Sequence, residues 1–406
     1  MNHVSLPGRS APHSLSTVER HRCAACGASG GVPLVDLHDV PSNSCLMLPT
    51  EAAARAWPRG DISLMLCEAC GFIANRAFEP YLTEYSERYE PSQSWSPAFR
   101  RYHGALAERL ASALPLAGRH IVEIGCGQGE FLHLLCGLSG ATGLGFDPCV
   151  DDRRSDVVQR RATGVRLIAD FFDAQAAKSL EADLLVCKMT LEHIPAAGHF
   201  AALCAQVARN SRPGMHIFVQ VPDSQRILRD IAFEDIYYEH CCYFTEVSLC
   251  TLFARHGFVT QAVWRDYDGQ YIGILARHAD VPHLCEPTAS VVALRQMAAG
   301  FALRHAERIE HWRRCLETSG SVVVWGSGSK GVTFLGAVAA RTVTHVVDIN
   351  PHRQGMHMVG TGHPIVAPDA LRIIRPDTVV VMNRVYRDEV GSVLSGLGMT
   401  LRLRTL

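Results

Sequence analysis

At 406 residues the chain is too long for one ordinary core, so two or three domains are expected. Its 39 basic and 40 acidic side chains balance, which argues against a dedicated nucleic-acid surface or a polybasic membrane anchor, and no apolar run reaches the length of a bilayer span. Met1 to Arg20 lacks an apolar core and reads as a disordered leader, not a secretory signal, and 15 cysteines without an export signal suit reduced thiols in a cytoplasm, some of them metal ligands.

Residues 21–90 carry little regular periodicity but hold two matched knuckles, Cys23-Ala-Ala-Cys26 and Cys67-Glu-Ala-Cys70, each followed by glycine. Two such turns supply the four thiolates of a closed, structural zinc site. Residues 91–280 alternate helix and strand, starting from an amphipathic helix over Phe99–Leu110. Strands are predicted at His120–Ile124, Gly143–Phe146, Val165–Ala169, Asp183–Cys187, His216–Val221 and Tyr271–Ala276. That alternation implies an α/β fold with a doubly wound parallel sheet. Pro282–Pro287 marks a break, and the connecting segment 281–318 reads as one long helix over Ala289–Glu317 that braces its neighbours. Residues 319–406 open with a strand, Ser321–Trp325, a glycine turn, Gly326-Ser-Gly-Ser-Lys-Gly331, and a second strand ending at Asp348. The second and third blocks thus begin alike, as two Rossmann-like units would.

The most informative stretch is Ile121-Val-Glu-Ile-Gly-Cys-Gly-Gln-Gly-Glu130. A glycine turn between a buried strand and a helix lets backbone approach a ligand closely. A carboxylate inside that strand, Glu123, would repel a pyrophosphate but suit a cationic, phosphate-free nucleoside. This points to S-adenosylmethionine (SAM), with Gly125, Gly127 and Gly129 around its methionine part. Asp147, ending the second strand, is expected at the ribose hydroxyls and Asp170, after the third, at the adenine amino group. A nicotinamide or flavin site is disfavoured, because the turn is not Gly-x-Gly-x-x-Gly.

Two acid–histidine pairs follow strand ends, where this architecture carries its chemistry. Phe233–Phe244 contains Tyr237, Glu239 and His240, and Lys188–Ile194 contains Glu192 and His193. His240 suits a general base, with Glu239 orienting it or acting as a second proton-transfer group, and Tyr237 or His193 suits an oxyanion donor.

The order of these motifs resembles the three-domain sugar C-methyltransferases of bacteria, which act on nucleotide-linked keto-sugars. The resemblance runs from about Cys23 to the C-terminus. It rests on the knuckles, Tyr85-Ser-Glu-Arg-Tyr89 with Ser92-Gln-Ser94, Glu-Ile-Gly-Cys-Gly-Gln-Gly, Leu191-Glu-His-Ile194, Ile236–Phe244, and Trp325–Gly331 with Val347-Asp-Ile-Asn-Pro351. It implies an N-terminal zinc module, a central class I SAM methyltransferase domain and a C-terminal Rossmann-like domain that closes the substrate cleft. The family's catalytic segment falls on Tyr237, Glu239 and His240, and its histidine after the fourth strand on His193. Its N-terminal tyrosine falls on Tyr85 or Tyr89. Amides at the start of the helix after Gly328, together with Lys330, would bind the diphosphate of a nucleotide-sugar; a dinucleotide site and a degenerate unit kept for shape are the alternatives there. The chain departs from the family pattern at Tyr238, at Asp268-Gly-Gln-Tyr271 and at Met382-Asn383, all expected in or near the substrate cleft. The expected reaction is base-assisted enolate formation followed by C-methylation. O- or N-methylation of a saccharide or related polar acceptor, and a non-catalytic nucleotide- or SAM-binding protein, are the other classes.

Overall fold

The computed structural model describes residues 22–86, 88–151, 164–279, 281, 289–339 and 341–406. The expected leader and the Pro282–Pro287 break lie outside the described residues. Strands are numbered in chain order.

The central sheet has seven strands in the order β10-β11-β8-β7-β4-β5-β6. Its parallel part comprises β4 (His120–Ile124), β5 (Thr142–Phe146), β6 (Val165–Ile168), β7 (Leu184–Lys188) and β8 (His216–Pro222). β4 and β7 are apolar and buried almost throughout, as strands covered on both faces must be. β11 (Tyr271–His278) and β10 (Phe258–Asp266) then close the sheet with two antiparallel pairings. Helix Pro97–Ala113 starts on a Ser96 cap and, with helix Glu130–Ser139, covers one face through Leu106, Leu110, Phe131, Leu132 and Leu135. Helices Ala197–Asn210 and Glu246–Ala254 contribute Phe200, Cys204, Leu249 and Leu252 to the core on the other side.

The N-terminal segment is more regular than its composition suggests. β1 (Val32–Pro41), β2 (Arg59–Leu66) and β3 (Ile73–Asn75) form an antiparallel sheet whose fourth strand is β9 (Cys242–Tyr243). β9 comes from the segment that carries His240, and it pairs Tyr243 with Ile73 and Cys242 with Ala74. A third sheet, fully parallel, has the order β14-β13-β12-β15-β16: β12 (Val322–Trp325), β13 (Val343–Val347), β14 (Ile365–Val366), β15 (Thr378–Val381) and β16 (Arg402–Thr405).

The long helix expected over Ala289–Glu317 is two helices, Ala289–Ala298 and Phe301–Glu317. Gly300 adopts φ +67°, a left-handed conformation that glycine reaches without strain and that breaks the helical run. Arg304 reaches back to the freed carbonyls of Met297 (2.5 Å) and Ala299 (2.8 Å). The bracing role survives the break: Leu294 and Phe301 pack in the core shared by the N-terminal and central sheets, while Trp312 and Leu316 pack under the third sheet. Among the described residues, no helix is long and apolar enough to cross a membrane.

Candidate functional site

The turn after β4 is built on three left-handed glycines, Gly125 (φ +73°), Gly127 (+55°) and Gly129 (+77°). A Cβ on Gly125 would lie 1.9 Å from Thr190 Oγ1, so that position admits no side chain. Gly127 N–H donates to Asp147 Oδ2 (2.8 Å), and Cys149 N–H donates to Asp147 Oδ1 (2.8 Å). The C-terminal unit repeats this arrangement. Ser327 N–H donates to Asp348 Oδ2 (2.9 Å) and Asn350 N–H to Asp348 Oδ1 (2.8 Å), with Arg353 beside the carboxylate. In both units the aspartate ending the second strand pins its own glycine turn. Asp348 also accepts from the Ser327 hydroxyl, so its carboxylate is satisfied within its own unit.

Glu123 is 2% exposed, and its Oε2 has no hydrogen-bond partner among the described residues. Burial pushes its carboxyl up to about 8, against the pull of Lys188. Lys188, at the end of β7, is itself lowered by burial and sits 3.3 Å from His103 Nε2. The strand acid is therefore a largely neutral group near a buried amine, and a cationic ligand is what would draw it into the charged form. Asp170 is exposed at the cavity edge, where its Oδ1 accepts from the backbone of Phe171 (2.8 Å).

One cavity of about 570 Å³ joins this turn to the other predicted positions, a size that suits a small-molecule site. Glu123, Gly125, Gly127, Asp147 and Asp170 line one part; Tyr85, Tyr89, Glu192, His193, Tyr237 and His240 line another; Lys330, Arg226, Arg353 and Asn383 line a third. Gly129 and Glu239 do not line it. The histidines meet edge to face with ring centroids 4.8 Å apart, and the Tyr237 ring lies 4.0 Å from that of His240. Burial holds His240 well below the ordinary imidazole value, with His193 and Lys330 adding to the effect, and lowers His193 to about 4. Tyr237 is held far above the usual phenol range by burial, so it faces the cavity as a donor.

Both N-terminal tyrosines belong to this cluster. Tyr85 Oη lies 3.0 Å from His193 Nδ1, and Tyr89 stacks edge-on against Tyr85 and bonds to the Glu239 carboxylate. His193 Nδ1 also lies 3.1 Å from the Glu239 carbonyl oxygen. A carbonyl only accepts, so Nδ1 carries the hydrogen and Nε2 keeps its lone pair.

The structure departs from the sequence-based expectation at Glu239 and at Tyr238. The Glu239 carboxylate does not address the His240 ring. It turns away to the Ser44 hydroxyl and Asn43 Nδ2 (3.1 Å), and the carboxylate that faces His240 is Glu192, with Oε1 3.9 Å from Nε2. Nothing in the sequence distinguishes the two acids, since each immediately precedes a histidine. Tyr238 is not a cleft residue. It is 1% exposed, packs on Phe78 and accepts the Glu79 N–H (2.8 Å), within a pocket kept open by Gly60. The other two departures from the family pattern meet each other, since Gln270 Nε2 donates to Asn383 Oδ1 (2.9 Å) at the cavity wall. Lys330 Nζ is not free: it pairs with Asp235, which also pairs with Arg226. Burial lowers Lys330 to about 7.

The four knuckle thiols converge. Cys23 Sγ lies 3.6 Å from Cys70 Sγ, and Cys26 Sγ lies 3.6 Å from Cys67 Sγ, with all four ligand atoms within 4.8 Å of one another. That is far longer than a disulfide and close to the roughly 3.8 Å edge of a tetrahedron with metal–sulfur bonds of about 2.3 Å. The donor set and its spacing fit zinc.

Comparison with known proteins agrees with this geometry. Residues 98–263 match the model of a methyltransferase domain, and residues 295–397 match that of a C-methyltransferase C-terminal domain. The chain is 25% identical over 392 residues to the C-methyltransferase NovU of Streptomyces niveus, covering 91% of this chain and 90% of that one. A ubiquinone biosynthesis O-methyltransferase of Ralstonia nicotianae is 26% identical over 133 residues, covering 32% of this chain and 54% of that protein. Among solved structures, the 1,6-didemethyltoxoflavin-N1-methyltransferase of Burkholderia thailandensis overlaps 46% of this chain and 82% of its own at 19% identity, with a TM-score of 0.35. The two matched domains in series, joined to a likeness that runs nearly end to end, place the chain in the family of SAM-dependent C-methyltransferases.

Proposed function

We propose that the enzyme methylates carbon in a nucleotide-linked keto-sugar, after removing a proton from the carbon beside the ketone. The observation that carries this reading is the single cavity in which the glycine turn, the paired histidines and a group of buried cations all take part.

The residues fit SAM. Gly125 lets the turn press against Thr190, the left-handed Gly127 faces open space in the cavity, and Glu123 offers a buried, unpartnered oxygen to a cationic ligand. When bound, SAM supplies the electrophilic methyl. Gly125, Gly127 and Gly129 shape the turn around its methionine part, Asp147 approaches the ribose and Asp170 the adenine. Neutral His240 removes the proton from the acceptor carbon. The Tyr237 hydroxyl stabilises the enolate oxygen; His193, its ring fixed by Tyr85 and the Glu239 carbonyl, presents the Nε2 lone pair and so takes a hydroxyl hydrogen of the acceptor instead of donating to the enolate. Glu239 and Tyr89 act from behind, by tying the catalytic segment to the Ser42–Cys45 loop. At the far wall, Lys330 and Arg226 share the single carboxylate of Asp235, and a diphosphate at the start of helix Ser329–Val338 would draw Lys330, lowered to about 7, into its charged form. Four cysteine thiolates hold a structural zinc, chemistry at home among the reduced thiols of a cytoplasm.

The test uses a thymidine diphospho-4-keto-6-deoxyhexose as probe, incubated with the enzyme in deuterium oxide without methyl donor. Deuterium entering the carbon beside the ketone, and loss of that exchange in His240→Asn, is the expected result. O-methylation, for which the Ralstonia relative that matches the central segment is named, forms no carbon acid. It predicts methyl transfer without exchange, an outcome that removes the C-methylation reading.

A further inference from the structure

The two Glu-His pairs are interlocked. The backbone of Glu239 receives His193 Nδ1, while the thiols of Cys241 and Cys242 reach the carbonyls of Glu192 (3.5 Å) and Ile194 (3.3 Å). The side-chain carboxylates have changed places relative to the sequence. Glu239 leaves its neighbour His240 for Ser44 and Asn43, and Glu192, 48 positions before His240, faces that ring instead. Glu192 is 1% exposed, lines the cavity, and neither carboxyl oxygen has a hydrogen-bond partner among the described residues. An acid buried without partners is destabilising. Such groups concentrate where they are used.

We propose that Glu192 is the positioning residue for His240: it holds the imidazole with the hydrogen on Nε2, leaves Nδ1 to take the proton from the acceptor carbon, and receives the Nε2 hydrogen as that transfer occurs. This rests on the reading of His240 as the base. The step balances. The carbon–hydrogen bond breaks and its electron pair stays on the acceptor as the enolate; one proton arrives at Nδ1 while another leaves Nε2 for the carboxylate. His240 ends neutral and Glu192 ends as the neutral acid, whose proton returns to solvent after methylation.

The electrostatics favour this route over an isolated base. Burial holds His240 far below its ordinary value, so an imidazolium left in this site is disfavoured. The same burial pushes Glu192 up to about 8, so near neutral pH its ionised form is the minor one, and that form is a strong acceptor for the second proton. The 3.9 Å separation is longer than a hydrogen bond, as is common at catalytic pairs before substrate closes them.

The experiment compares Glu192→Gln, Glu192→Asp and His240→Asn in the full-length enzyme, using the same thymidine diphospho-4-keto-6-deoxyhexose with SAM. Glu192→Gln is expected to lower kcat and donor-free deuterium exchange by about 100-fold or more, with the SAM Kd and acceptor KM unchanged within two-fold. Glu192→Asp should recover part of the loss. Nitrogen NMR of labelled histidines gives a readout independent of turnover: in Glu192→Gln the His240 ring should lose its preference for the Nε2–H tautomer. If His240→Asn is inactive while Glu192→Gln retains kcat and tautomer, the role of Glu192 is overturned and the base role stands. If His240→Asn is itself active, both readings fall. Glu192, His193 and His240 also have the composition of a metal site. A second equivalent of metal in the wild-type enzyme that Glu192→Gln loses would overturn the proton relay in favour of that site.

Discussion

Replacing Glu123 by glutamine separates the stability of the central sheet from its hold on the methyl donor. The folded-state carboxyl is pushed up to about 8 from an ordinary value of 4.5, so folding favours its protonated form. A group raised in this way contributes its full stability below the ordinary value and loses it as pH climbs toward 8, at about 1.4 kcal/mol per unit. At pH 7 the native enzyme has therefore given up about 3 kcal/mol that a glutamine, which cannot ionise, retains. An amide in the same place keeps the hydrogen-bond deficit, so only the pH-dependent part of the difference counts. The variant should melt above the native protein at pH 7 by roughly 6–12 °C in the central unit, with the gap shrinking toward pH 5. SAM affinity should fall by about 10- to 150-fold, the range for a lost charge-assisted hydrogen bond. Thermal scans at pH 5, 6, 7 and 8, with calorimetric titration of SAM, provide both readouts. A melting gap that stays constant over this range, together with native affinity, refutes the reasoning about this residue.

Other consequences follow from particular contacts. Gly125→Ala places a methyl within 1.9 Å of Thr190 Oγ1 at a left-handed position, and SAM binding measured by calorimetry should be abolished while the other two sheets keep their fold by circular dichroism. Gly60→Ala drives a methyl into the Tyr238 ring at 2.3 Å and should lower stability by about 1–3 kcal/mol, seen as a lower melting temperature. Tyr238→His, which restores the family's residue, should lower the melting temperature through loss of the Glu79 contact and leave kcat within a few-fold of native. Removal of metal with a strong chelator, or Cys67→Ser, should abolish zinc in metal analysis and destabilise the N-terminal sheet before the C-terminal one.

The central fold was legible because its signals are local. β4 is a buried strand, apolar but for His120 and Glu123, that runs directly into three glycines, and its observed bounds are those the pattern predicts. β10 escaped notice because an edge strand with a bulge at Thr260–Ala262 and mixed burial has no clean alternation. The three N-terminal strands were hidden for a related reason: they are completed by β9, 167 residues beyond β3, and no local window contains that partner. At the site, residue types and strand-end positions singled out His193, His240 and Tyr237, and the family resemblance singled out Tyr85 and Tyr89; all five line the same cavity. They did not reveal which acid serves which histidine. Tyr237, Tyr238 and Glu239 lie in irregular backbone, where consecutive side chains obey no fixed period, so one faces the cavity, the next packs on Phe78 and the third meets Ser44.

The pairing of β3 with β9 ties the segment that carries His240 to the four-cysteine cluster, which His240 never touches. The second knuckle, Cys67–Cys70, leads directly into β3, and β3 fixes the two residues that follow His240 and Cys241. The donor turn, by contrast, is pinned by Asp147 within its own sheet. With His240 as base and zinc in the cluster, as proposed above, a chain starved of zinc would keep its grip on the methyl donor while its base drifted out of line, an idle carrier that sequesters SAM without transferring its methyl.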